Sequence, residues 1–190
     1  MKYLSLDLET TCVEKKNPHN IIGISCVVEN TDIKDIPVNY LPHFTCLIDQ
    51  HWWEGNAFAL QMNAWLLKKI ANKKWEDGKP YKILDKKEWV PALMAFLDEH
   101  FGNERITLAG KNVGTFDLQF LPEVLQSRFR ARVLDIGSVF VDWNKDALPG
   151  MKECMEIAGV SGSVTHDMYQ DACDNILVLR SKYYPKPEKV

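Results

Sequence analysis

Residues 2–8 (KYLSLDL) alternate and are rich in apolar side chains, residues 20–28 (NIIGISCVV) are almost continuously apolar and β-branched, and residues 43–48 (HFTCLI) keep that character. Each run predicts a strand, the second one buried, and the short spacings predict antiparallel neighbours. From about Asn56 to Ala71 the period changes, with Leu60, Ala64, Leu67 and Ala71 on one helical stripe. Residues 72–87 (NKKWEDGKPYKILDKK) hold six lysines against three acidic residues, with Gly78 and Pro80, and read as a solvated loop or insertion. Asp85 and Glu88 resemble a capping box ahead of a helix over WVPALMAFLDEHF, with Gly102 as its stop and Pro91 clouding its start.

Beyond Gly102 the pattern predicts a strand at RITLAG, a polar loop GKNVGT, a helical run FDLQFLPEVLQ interrupted by Pro122, and a fifth strand at RVLDIGSVF. Helices follow around residues 150–158 and 166–184, and residues 185–190 form a frayed tail. Three strands, a helix, then β-α-β-α describe an α/β protein: a five-stranded mixed sheet with helices on both faces, in a single domain over residues 1–184.

Charge narrows the function. The 190 residues carry a formal net charge of −3, so the chain lacks the basic footprint of a protein that coats long nucleic acids. It suits an enzyme that grips a strand end and neutralises phosphate with bound metal. No apolar run reaches membrane-spanning length, and Asp7 and Glu9 fall where a signal peptide would need apolar residues, so a cytoplasmic, non-membrane protein is expected. Five scattered cysteines without a CxxC pair read as reduced thiols.

The carboxylates carry the chemistry. Asp7 and Glu9 lie two apart on a strand, hence on one face, where they repel each other unless solvated or bridged by a cation. Asp117 follows a strand and a polar loop and opens a helix, where the helix dipole stabilises a carboxylate. In THDMYQDACDN, Thr165 as N-cap puts His166 at the mouth of the last helix and Asp171 about one turn in; Asp167 and Asp174 are expected to face solvent. Singly these are weak signals. Together, four acids from distant segments are what hard divalent cations require, and two such ions about 3.5–4 Å apart can serve phosphodiester hydrolysis. Histidine titrates near neutrality, which makes His166 the natural base.

The ordered set DLE, then N-V-G-T-F-D, then H-x-x-x-x-D resembles the DEDDh branch of the 3′-to-5′ exonuclease superfamily, which includes polymerase proofreading subunits and oligoribonuclease. The motifs span residues 7 to 171; residues 29–104 add little to the match. The resemblance implies a ribonuclease-H-like fold and two Mg²⁺ ions, with Mn²⁺ able to substitute. It implies that Asp7 bridges both ions, Asp171 completes the first, Glu9 and Asp117 serve the second, and His166 is the base. Thr10 would contact the terminal nucleotide through its main chain, and Phe116 would pack on the terminal base or in the core. The partner would be a single-stranded 3′ end of DNA or RNA, shortened to nucleoside 5′-monophosphates. A non-catalytic exonuclease-like module that binds nucleic acid or a polymerase is the alternative, and an endonuclease of the ribonuclease-H type a third reading. Trp52-Trp53 reads chiefly as loop or core packing, with base stacking second. Asp135 reads as a structural or supporting acid, and His19, His43, His51 and His100 fall in no ligand spacing.

Overall fold

A computed structural model describes residues 1–13, 17–33, 35–73 and 81–184. The predicted tail over residues 185–190, and the middle of the lysine-rich segment, lie outside the described residues. The first three strands form as the pattern predicts: β1 (Lys2–Thr10), β2 (Ile21–Asn30) and β3 (His43–Asp49) are successive antiparallel neighbours. The sheet has six strands rather than five. β4 (Lys82–Asp85) adds parallel to β3 inside the segment expected to be a loop, giving the order β4-β3-β2-β1-β5-β6. The four residues KILD are too short to announce a strand; their pairing comes from the adjacent edge of β3, not from local pattern.

β5 (Leu108–Gly110) runs parallel to β1 and β6 (Leu134–Asp135) parallel to β5. The strand expected over RVLDIGSVF is cut to these two residues because Asp135 caps a short helix directly after it. Its carboxylate accepts the Ser138 amide at 2.9 Å, while its other oxygen accepts the Asn112 amide at 2.7 Å. Asp135 is therefore structural, fastening the loop after β5 to β6.

The helix expected over residues 56–71 is two helices, α1 (Ala57–Met62) and α2 (Ala64–Asn72). Asn63 breaks it, its buried side chain turned inward to the end of β1. α3 (Trp89–Phe101) tolerates Pro91 in its first turn, where a backbone N–H has no intrahelical acceptor anyway. The expected capping box does not start α3: Glu88 is its N-cap and makes no side-chain cap bond, while the Glu88 carboxylate accepts the Asp85 amide at 3.1 Å and closes the turn before the helix. α4 (Asp117–Phe120) and α5 (Glu123–Gln126) are separated at Pro122, α6 (Ile136–Val139) follows β6, and α7 (Met151–Ala158) and α8 (Met168–Tyr183) are the last helices among the described residues.

β1 divides the core. Leu4, Leu6 and Leu8 face a cluster that includes Trp89, Leu93 and Leu97 of α3. The opposite face, reached by Tyr3, Ser5, Asp7 and Glu9, turns to α8: the Ser5 hydroxyl donates to the Ala172 carbonyl at 2.8 Å. Buried Glu29 of β2 receives Arg180 Nε at 2.7 Å, pinning the far end of α8 to the sheet. At the near end the Met168 side chain lies over Gly23, where a Cβ would sit 2.5 Å from its sulfur. The first turn of α8 is thus held against the sheet opposite Glu9, which pairs with Gly23.

Candidate metal centre

One cavity of about 250 Å³ at the carboxyl ends of β1 and β5 is lined by Asp7, Glu9, Asp117, His166 and Asp171. The predicted residues Thr10 and Phe116 line it too. Each arrives by a different local device. Alternation along β1 aims Asp7 and Glu9 together, and a register shift between Glu9 and Thr10 bends the strand end. Asp117 opens α4 and swings under β1, its Oδ1 accepting the Leu8 amide at 3.0 Å. Asp171 lies in the first turn of α8, facing Thr165, whose hydroxyl is 3.3 Å from Asp171 Oδ1.

Two details of the last motif differ from expectation. Asp167, not Thr165, caps α8, its carboxylate accepting the Tyr169 and Gln170 amides. It is half-buried and also accepts the Tyr81 hydroxyl. Asp174 is buried as well, satisfied by Gln170 Nε2 at 2.8 Å, because α8 is covered on more than one side. His166 therefore stands one residue outside the helix, exposed and left-handed at φ 53°. A non-glycine residue there carries strain, and such strain gathers at functional sites. In this posture one ring nitrogen of His166 and one oxygen each from Glu9 and Asp171 lie within 4.8 Å of one another.

Glu9 and Asp117 are nearly inaccessible and Asp7 and Asp171 half-buried. Burial, the repulsion of Asp117, Asp171, Glu9 and Asp167 reinforcing it, pushes Asp7 well above the carboxylate range. Glu9 is pushed up to about 8, by burial first, although a hydrogen bond from Asn63 pulls the other way. Burial lifts Asp117 to about 7 against the opposing Leu8 hydrogen bond, and burial lifts Asp171. Oxygen ligands this crowded, with a histidine in reach, fit hard divalent cations, whose charge would reverse the penalty for ionisation.

Several lining residues carried no sequence signal. Phe58 and Met62 of α1, Val13, Met151 and Val164 supply apolar rim, and Phe58 is 75% exposed. Lys111 and Asn175 also reach the cavity; Asn175 stands four residues after Asp171 on α8, a spacing that could have flagged it. Asn63, which donates to the Thr10 carbonyl at 3.1 Å, was hidden inside a helical stripe. Phe116 sits 5.0 Å from the Phe120 ring, joining the cavity wall to the core.

Mixed sheet, flanking helices and carboxylates at the end of the central strand define a ribonuclease-H-like α/β fold. No family model and no curated protein sequence matches the chain. Solved structures do. E. coli Exonuclease I in complex with a 5cy-dT13 oligonucleotide superposes with a TM-score of 0.60 at 12% identity, over 98% of this chain and 41% of that one. A full-length 3′-exonuclease gives 0.57 at 13% identity, over 95% and 81%. Cell-death related nuclease 4 (CRN-4) gives 0.55 at 13%, over 97% and 64%. The chain is thus similar in fold to 3′-exonucleases and spans about two-fifths of Exonuclease I. No helix among the described residues is long and apolar enough to cross a membrane.

Proposed function

We propose that this chain is a DEDDh-type 3′-to-5′ exonuclease, a single domain over residues 1–184, that releases nucleoside 5′-monophosphates from single-stranded DNA or RNA ends. One observation carries the reading: Asp7, Glu9, Asp117, His166 and Asp171, drawn from separate segments, line a single cavity. The fold likeness to 3′-exonucleases supports it, and so do the oligonucleotides with which Exonuclease I is seen in complex.

Two Mg²⁺ ions, which Mn²⁺ would replace, supply charge neutralisation and Lewis acidity when bound. Asp7 would be shared between them, with Asp171 on the first and Glu9 and Asp117 on the second. His166, exposed at the cavity mouth, takes the proton from the attacking water. The Thr10 main chain and the Phe116 ring hold the terminal nucleotide, and the exposed Phe58 ring offers a face on which a base can stack. The apolar rim lowers the dielectric around the scissile phosphate and strengthens each of these contacts.

Digestion of a 5′-labelled single strand with Mg²⁺ tests the proposal. A descending ladder with nucleoside 5′-monophosphate products is expected, and a closed circular strand should survive. Circles cut as fast as linear strands would make the protein an endonuclease and overturn the reading.

A further inference from the structure

Two polar side chains line the acidic cavity beside the end of β5 and are not engaged by its four carboxylates: Lys111 and Asn175. Gly110, the last residue of β5, brings that end close to β1. A Cβ there would lie 2.8 Å from the Leu6 carbonyl oxygen, just before Asp7, and 3.5 Å from Asn175 Nδ2. Asn175 is 2% exposed and stands one helical turn beyond Asp171 on α8. Its amide makes no hydrogen bond among the described residues, yet neither of its polar atoms is sealed from solvent. The little surface they keep is in the cavity that Asn175 lines. A buried amide with open hydrogen-bonding capacity facing a cavity calls for a ligand.

Lys111 is the only lysine or arginine among the residues that line the cavity. Its ammonium is exposed and donates at 3.0 Å to Asn112 Oδ1, a neutral acceptor. Among the described residues it is in no ion pair. Asp135 on the adjoining strand is occupied by the Asn112 and Ser138 amides. A lysine that served only to neutralise the acids would be tied to one of them. This one can turn on its flexible stem toward a ligand without breaking an ion pair. An ammonium and an amide N–H are both donors, one charged and one neutral, and suit an anion with several acceptor oxygens.

We propose that Lys111 and Asn175 bind one phosphate of the strand, the ammonium neutralising its charge and the amide donating to a non-bridging oxygen. This role rests on the nuclease reading and adds to it a contact made to the backbone alone, indifferent to base sequence.

Affinity of the full chain for a labelled single strand is measured in Ca²⁺, which suppresses turnover, over a range of salt concentrations. Lys111→Met gives up only the bond to exposed Asn112 and spares the fold. It should bind about tenfold more weakly, and the slope of log K against log salt should shrink by about 0.7, the share of one phosphate. Asn175→Ala should also lose about tenfold but keep the parental slope, because the amide carries no charge. The linkages nearest the 3′ end are then replaced, one at a time, by uncharged methylphosphonate. At one of them the parent should lose about tenfold while Lys111→Met loses nothing further, since the partner is already gone. If Asn175→Ala melts low, Lys111→Met and the modified linkages decide alone. With the parent binding the strand, parental affinity and slope in Lys111→Met, or equal losses in parent and variant at every linkage, would overturn the assignment. A parent that fails to bind the strand at all would overturn the nuclease reading, and this role with it.

Discussion

The Leu8 amide donates to Asp117 Oδ1 at 3.0 Å, joining the central strand to the start of α4 across 109 residues of sequence. This bond separates the two roles of Asp117. An asparagine can still accept from Leu8, but it carries no charge and is a poor ligand for a hard cation. Asp117→Asn should therefore fold normally and lose about 10²–10³-fold in catalytic rate. A circular-dichroism melt and a single-turnover assay on one preparation check both halves. An Asp117→Asn enzyme with parental rate would remove this acid from the chemistry.

Metal-free protein should lose stability as pH rises. Glu9 at about 8 and Asp117 at about 7 are raised above the ordinary carboxylate value near 4. Below pH ~4 both groups are protonated folded or unfolded, and clustering them costs nothing. As pH climbs the unfolded chain gives up its protons first, so the folded state loses ground through pH ~8. The difference in unfolding free energy between parent and Glu9→Gln, measured in EDTA across that window, isolates the effect. It should widen in favour of Glu9→Gln as pH rises; a flat difference would refute the crowding.

Mg²⁺ should reverse this loss. At pH 8 a concentration of about a hundred times Kd stabilises a folded-state binder by about 2.7 kcal/mol, read as a rise in Tm. Asp7→Ala should abolish the response and turnover together. In EDTA it should melt no lower than the parent, because it removes the most crowded acid of the group. A Mg²⁺-dependent Tm shift that survives in Asp7→Ala would place the ions elsewhere.

Which features could be read from the sequence follows from what is local. Period-two alternation was enough to place Asp7 and Glu9 on one face, and the β-branched run of β2 announced itself. β4 escaped because KILD is an edge strand whose partner, β3, lies more than thirty residues earlier. The break at Asn63 escaped because the apolar stripe continues across it, while the cause is a contact with the Thr10 carbonyl in β1. The acids of the centre were legible by type and order. Its apolar rim, Phe58, Met62 and Val164, was not, because nothing local says that α1 closes over β1. The burial of Asp174 was likewise hidden, set by how deeply α8 sinks between β2 and α7.

His166 tests the mechanism most sharply, because its backbone and its side chain make opposite demands. At φ 53° the residue is left-handed, a conformation that costs an L-residue about 1–2 kcal/mol and glycine almost nothing. Its ring is exposed, so little packing is lost when it is removed. His166→Gly should therefore melt no lower than the parent in EDTA. If the ring takes the proton from the attacking water, the same variant should be slower by about 10²–10⁴-fold in single turnover. Strand binding should survive, since Asp7, Glu9, Asp117 and Asp171 remain. A purely structural His166, holding the mouth of α8 in place, predicts the reverse: a lower melting temperature with per-molecule activity kept. Both quantities come from one preparation, with strand affinity measured in Ca²⁺ to suppress turnover. A rate within about threefold of the parent would remove His166 from the proton transfer, leaving the acidic cluster to be explained without a base at its mouth.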